Sequence, residues 1–266
     1  MSRGRQPYSE DAARASGDRA DDSAPGTDLR RPVIATVTLL LMLGAFFAAG
    51  IWQLDRAVEK EAILERFSNA ADGNLITEIV PDEAAQALRF RQVRLTGRYQ
   101  PDRQILLDNM TAAGRSGYQV LTPFVTGQGT VLINRGWVPA DPDRAVLPAV
   151  PVDDDMRTVV ARVNDLPAPG LRLAQPQTST NTWPRRLLFP TAAELSAVLG
   201  VELPAYQLQL DAQQADGYLR DWQAVSSGPE KHLGYAFQWF SFALIAVIVY
   251  AVLMIQWLRA RRAAGN

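Results

Sequence analysis

Two long apolar stretches interrupt a chain whose apolar positions otherwise recur at the spacing of surface helices and half-buried strands. Val33 to Leu54 carries no charged side chain, and neither does Leu233 to Leu258. At a rise of about 1.5 Å per residue, roughly 20 helical residues cross a hydrocarbon core of about 30 Å. Each stretch therefore predicts a transmembrane helix, the first over 33–54 and the second over 233–258. Arg30 and Arg31 bound the first span on one side, Asp55 and Arg56 on the other. Arg259, Arg261 and Arg262 close the second, and Trp239 and Trp257 lie near its ends, where interfacial indoles sit. The first span exceeds the roughly 7–15 apolar residues of a signal peptide, and Ala48-Ala49-Gly50 is a poor cleavage site, so an uncleaved anchor is expected.

Between the spans the period changes. From Asp55 to Asn69, Val58, Ile63, Leu64 and Phe67 stand among charges, which predicts a helix continuing from the first span. Pro81 to Leu88 reads as a second, short helix. Strand-like runs follow in "RQVRLTGRY", "QILLDN", "YQVLTPFV" and "TVLINRGWV", with "GRSG" and "TGQG" as turn signals between the later ones. A loop from Pro148 to Asp155 leads into a fifth strand, Arg157 to Val163, and Ala205 to Asp211 is a sixth. Thr191 to Leu199 predicts a helix opened by Thr191, with Glu194 three residues on at capping-box spacing. The expected architecture is an α+β membrane protein: two transmembrane helices flanking a domain over 55–232, built on a mainly antiparallel β-sheet or barrel.

Charge sets the expected orientation. Both short ends carry arginines, so the positive-inside rule places both termini in the cytoplasm and the 55–232 domain in the periplasm, as in a bacterial inner-membrane protein. The bias is modest, because Arg56, Lys60, Arg66 and Lys231 flank the spans on the opposite side. Residues 1–29 are rich in Ser, Asp, Arg and Gly, with few large apolar side chains to offset the entropy of ordering, so 1–32 is expected to be a disordered tail. Residues 259–266 form the second cytoplasmic tail.

Composition removes several kinds of chemistry. The absence of cysteine excludes disulfides, thiolate metal sites and a cysteine nucleophile. A net charge of −1 offers no general attraction to nucleic acid. The only histidine, His232, stands at the threshold of the second span, and no nucleophile-elbow motif accompanies it, which disfavours a serine hydrolase. "VDDD" (Val152 to Asp155) lacks the spacing of a calcium loop, and "GRSG" lacks the lysine and helix of a phosphate loop.

"INRGWVP" is more informative. On a regular strand Ile133, Arg135 and Trp137 share one face, so an arginine among core positions calls for an aromatic ring or a carboxylate. Gly136 could instead mark a bulge that turns the arginine away. Arg135, Gly136 and Trp137 then either lock a strand end or form a partner-docking surface. In the first span, Gly44 with Ala48 and Ala45 with Ala49 have the small-residue spacing that lets a second helix approach.

Four motifs fall in one order along the chain: "GIWQLDR" ending the first span, "GYQVLTPF", "VLINRGWVP", and "KHLGYAFQWFSFA" entering the second. As a set they resemble the Surfeit-locus family of cytochrome c oxidase assembly proteins, over residues 33 to 258. The resemblance implies a non-enzymatic assembly factor of the respiratory chain that acts as a chaperone for haem-copper oxidases and delivers haem a to the large catalytic subunit. It also implies a bulky domain on the outer side of the membrane. By the same resemblance His232 corresponds to a proposed ligand of haem iron, Trp52 and Gln53 to the first motif, and Arg135, Gly136 and Trp137 to the middle one. The implied partners are subunit I of the oxidase and the lipid bilayer, with haem a synthase as a further candidate.

Helix geometry makes the haem expectation concrete. His232 lies fifteen residues before Val247, at the apolar centre of the second span, or about 22 Å along a helix. The hydrocarbon half-thickness is about 15 Å, so the imidazole falls at headgroup level. Tyr235 and Trp239 follow at three and seven residues, on the same helical face. In this reading His232, Tyr235, Trp239, Trp52 and Gln53 bind the cofactor. The competing readings are a cofactor-free scaffold for oxidase assembly intermediates, and His232 as an interfacial residue bonded to lipid headgroups.

Overall fold

The structure, a computed structural model, describes residues 30–70, 73–168, 182–225 and 227–264. Of the tail expected over residues 1–32, residues 1–29 lie outside the described residues, and 30–32 form the start of a helix. The chain divides into two compact units, one of residues 1–54 with 233–266 and one of residues 55–232.

The second unit is organised by seven strands: β1 (Gln92–Tyr99), β2 (Ile105–Ala112), β3 (Arg115–Thr126), β4 (Gly129–Pro139), β5 (Arg157–Asp165), β6 (Arg185–Leu187) and β7 (Tyr206–Leu210). Their order is β1-β5-β7-β4-β3-β2-β6, and β1 also pairs with β3. That extra pairing closes β1, β5, β7, β4 and β3 into a small barrel, from which β2 and β6 extend. The pairs are antiparallel except β2 with β6 and β4 with β7, which run parallel.

Period-two patterning explains the closure. Val93, Leu95 and Tyr99 of β1, Val159, Ala161 and Val163 of β5, and Tyr206, Leu208 and Leu210 of β7 all project into one buried cluster with Phe124, Val131 and Ile133. Alternate residues of every strand thus fill the barrel, as a small closed sheet requires. The 3-10 turn at Pro101–Arg103 links β1 to β2.

Two helices dress the sheet. A single turn at Asp82–Ala85 is shorter than the helix expected over Pro81 to Leu88, because Phe90 adopts φ 74° and the intervening residues turn back toward β1. The helix at Ala192–Leu199 carries the expected capping box: Thr191 Oγ1 accepts from the Glu194 amide at 3.2 Å, and the Glu194 carboxylate accepts from the Thr191 amide at 2.6 Å. Gly200, with φ 73°, ends it in the left-handed conformation. Leu195 and Leu199 are buried with Ile105, Leu107, Leu121 and Leu132. Strand β6 escaped the periodicity reading, since three residues are too few to show a period.

The first unit holds the apolar parts of two long helices. The helix Arg30–Asn69 joins the first apolar stretch to the amphipathic run after it, and Pro229–Ala264 contains the second stretch. Both are long and apolar enough to cross a membrane. Their inward positions lie at 36, 39, 43, 46, 50 and at 236, 239, 243, 246, 250, the three-and-four spacing of an antiparallel helix seam. Thr36 and Tyr250 share a hydrogen bond of 2.6 Å, and Phe46 and Phe47 meet Trp239, Phe242 and Phe240. Gly50 makes the close approach: a Cβ there would lie 2.7 Å from the Phe240 ring. Of the small residues expected at this contact, Gly44, Ala45 and Ala48 face outward and Ala49 is half-buried beside Gly50, because the seam follows Phe46 and Gly50.

Candidate functional site

The middle motif lies on β4, where the register with β3 shifts between Gln119 and Leu121. Gln119 pairs with Trp137 and Leu121 with Asn134, so Arg135 and Gly136 together oppose Val120. This is a bulge, and Gly136, with φ 109°, supplies the conformation it needs. A Cβ on Gly136 would come within 2.7 Å of the Leu219 carbonyl oxygen. The bulge changes the phase of the strand. Arg135 stays in the inward column of Val131 and Ile133, while Trp137 turns to the side of Asn134. The expectation that Ile133, Arg135 and Trp137 share a face is corrected accordingly, and so is the idea that the bulge turns the arginine away: it turns the tryptophan.

Arg135 is 1% exposed. Its guanidinium satisfies the expectation of an aromatic partner twice over, lying 5.7 Å from the Tyr99 ring centroid and 5.1 Å from that of Tyr218. Among the described residues, no carboxylate accepts from it. Nε donates to the Asp216 carbonyl at 2.6 Å, Nη1 to Gln104 Oε1 at 2.9 Å and to the Val150 carbonyl at 3.3 Å, and Nη2 to the Pro151 carbonyl at 2.8 Å. Three loops are thereby tied to one strand. Burial pushes the guanidinium below the usual arginine range, while Tyr218, Tyr99 and Asp216 pull it back. Burial likewise raises the Tyr99 phenol to about 12. Arg157 adds an outer layer, stacking on Tyr99 at 5.3 Å and pairing with Asp216 and Asp153. Tyr99 and Arg157 stand on strands the sequence shows, but their meeting with Arg135 does not, and Gln104, Val150, Pro151, Asp216 and Tyr218 come from segments without periodicity.

Trp137 is the member of the motif that reaches the surface. It is half-buried, and its Nε1 donates to the Met110 carbonyl at 3.0 Å. Its backbone bridges to Leu219 on the segment that leads toward the second long helix.

The remaining candidates belong to the helices. His232 is half-buried in the first turn of the helix Pro229–Ala264. Tyr235 is 47% exposed and Trp52 is 54% exposed, whereas Gln53 is half-buried. Trp239 is committed to packing, with Phe46 and Phe242 each 5.9 Å away. Nothing in the pattern of the first span marks Phe46 as the residue that completes this cluster.

The SURF1 family profile matches residues 40–244, which take in the end of the first span, the β domain and the start of the second. The chain belongs to the SURF1 family. An uncharacterised SURF1-like protein of Mycobacterium tuberculosis is 29% identical over 238 residues, covering 86% of this chain and 85% of its own. A SURF1-like protein of Rickettsia bellii is 26% identical over 239 residues, covering 83% and 88%. One from Drosophila melanogaster is 23% identical over 228 residues, covering 77% and 72%. SURF1 membership carries the family's general role in cytochrome c oxidase assembly, and its members are non-catalytic assembly factors. Among the described residues, no three His, Cys, Asp or Glu side chains come together as a metal-holding cluster.

Proposed function

We propose that this SURF1-family chain handles haem a as cargo during oxidase assembly and passes it to subunit I, with haem a synthase as the source. The observation that carries the proposal is the place of the one imidazole: His232 is half-buried, in the first turn of the helix that contains the second apolar span. Imidazole is a common axial ligand of haem iron, and a macrocycle needs apolar surface beside it. Trp52 and Tyr235 are each about half exposed on the helix pair, which suits that need. His232 would hold the iron, Tyr235 and Trp52 would face the macrocycle, Trp239 would back them, and Gln53 would offer an amide. In this account both termini are cytoplasmic and the barrel is periplasmic.

A cofactor-free scaffold is the second reading, favoured by a different observation. Trp137 lines a cavity of about 840 Å³ on the barrel domain, a place where a partner could seat without any haem.

The two are separated by the haem a content of the oxidase in cells carrying His232→Ala. A fall in haem a with unchanged abundance of the chain supports cargo handling. Unchanged haem a content at unchanged abundance overturns it.

A further inference from the structure

The cavity beside Trp137 has a chemistry of its own. Its walls include Gln119, Trp137, Gln209, Asp221, Trp222 and Gln223, and no lysine or arginine is among the described residues that line it. Both indole N–H groups are already used, Trp137 Nε1 on the Met110 carbonyl and Trp222 Nε1 on the Leu210 carbonyl at 2.8 Å. The tryptophans therefore have only ring surface left to offer. Gln119 Oε1 is likewise occupied, accepting from Asn134 Nδ2 at 2.9 Å.

The lining holds one acceptor that lacks a donor. Gln209 is 7% exposed, and its Oε1 has no hydrogen-bond partner. An enclosed amide oxygen without a donor is costly, and no bond at that oxygen has to break for the amide to turn toward the cavity. Asp221, steadied by Gln223 Nε2 at 3.2 Å, places the one formal charge of the lining there, and it is negative. Aromatic surface, an unmet acceptor and a carboxylate together describe the complement of a planar cation that only donates. Guanidinium has that form: flat enough to stack on indole, with five N–H donors and no acceptor. Ammonium would meet the carboxylate but would lose the planar stacking.

We infer that this cavity is a binding site for an arginine side chain presented by a protein partner. The identity of the partner as an oxidase component rests on the assembly role; the guanidinium preference rests on the cavity alone. The inference gives Trp137 a direct contact and leaves Arg135 and Gly136 as the bulge that positions it.

The test uses the full chain in detergent, titrated with N-acetyl-arginine amide and followed by tryptophan fluorescence. N-acetyl-citrulline amide, nearly the same shape without the charge, is the control. Saturable binding of the arginine probe is expected, with a dissociation constant on the order of 1 mM. Citrulline should bind at least about fivefold more weakly, and Asp221→Asn should weaken the arginine probe by a similar factor. Gln209→Leu should weaken it further, with circular dichroism confirming an unchanged fold. If Gln209→Leu fails to fold, the exposed Asp221→Asn variant decides alone. Equal responses to both probes, or an arginine response unaffected by Asp221→Asn, would overturn the site and leave water as its only occupant. Oxidase level in a host lacking the chain is read separately. Normal oxidase there with intact probe binding would remove the assembly role and keep the site, and oxidase loss without probe binding would do the reverse.

Discussion

Arg135 Nη1 donates to Gln104 Oε1 at 2.9 Å, and neither side chain reaches solvent. Gln104 also accepts from Thr122 Oγ1 at 3.0 Å and donates through Nε2 to the Val150 carbonyl at 2.7 Å. The pair links the barrel column of β4 to the turn after β1 and to the loop before β5. Arg135→Ala would leave the Gln104, Val150, Pro151 and Asp216 acceptors without their shared donor. The expected cost is at least about 3 kcal/mol. Arg135→Lys should lose most of this too, since one ammonium cannot span the fork. Thermal denaturation and immunoblotting of membranes check both: abundance should fall first, with oxidase in proportion. Full abundance of either variant would contradict the locking role.

Gly136→Ala tests the bulge separately. Its φ of 109° and the Leu219 carbonyl oxygen 2.7 Å from the would-be Cβ both oppose a side chain. A loss of about 2 kcal/mol or more is expected, read as a lower melting temperature of the full chain.

The helix pair gives a matched comparison. Gly50→Ile should disturb the seam, because Phe240 lies 2.7 Å from a Cβ there, whereas Gly44→Ile meets nothing within 4 Å. The chain has no cysteine, so cysteines at Thr36 and Tyr250, whose hydroxyls meet across the seam, bridged by a short bis-maleimide, provide the readout. Cross-linking should be efficient in the parent and in Gly44→Ile, and reduced in Gly50→Ile.

These sites show where a sequence reading reaches and where it stops. The six strands of at least five residues, the capping box of Thr191 and Glu194, and both long helices follow from period and cap chemistry, which are local. Strand β6 and the parallel pairing of β4 with β7 are not local, because neither Arg185–Leu187 nor Ile133 opposite Leu208 carries a pattern of its own. The same holds within the motif. An arginine in a core column announces a ring partner, but Tyr99 and Tyr218 arrive from distant segments. Of Gly44, Ala45, Ala48 and Ala49, only Ala49 lies near the seam, because small-residue spacing does not specify which face a neighbour takes.

Alkaline pH should weaken the barrel. The Tyr99 and Tyr206 hydroxyls are raised to about 12, chiefly by burial, from an ordinary value of 10.0. Each keeps its proton longer in the folded chain than in the unfolded one. Stability is therefore complete below pH 10 and declines as pH rises toward 12, by at most about 2–3 kcal/mol per tyrosine. Denaturant unfolding across that range checks the sign. Tyr99→Phe should flatten the decline, and an unchanged slope would contradict the assignment.

The cargo proposal is tested most directly by the absorption spectrum of the full chain purified in detergent from cells that make haem a. The parent chain should carry a haem a spectrum, and His232→Ala, inserted at equal abundance, should lose it. A haem spectrum that is identical in His232→Ala, or absent from the parent when haem a is plentiful, would contradict iron ligation by His232.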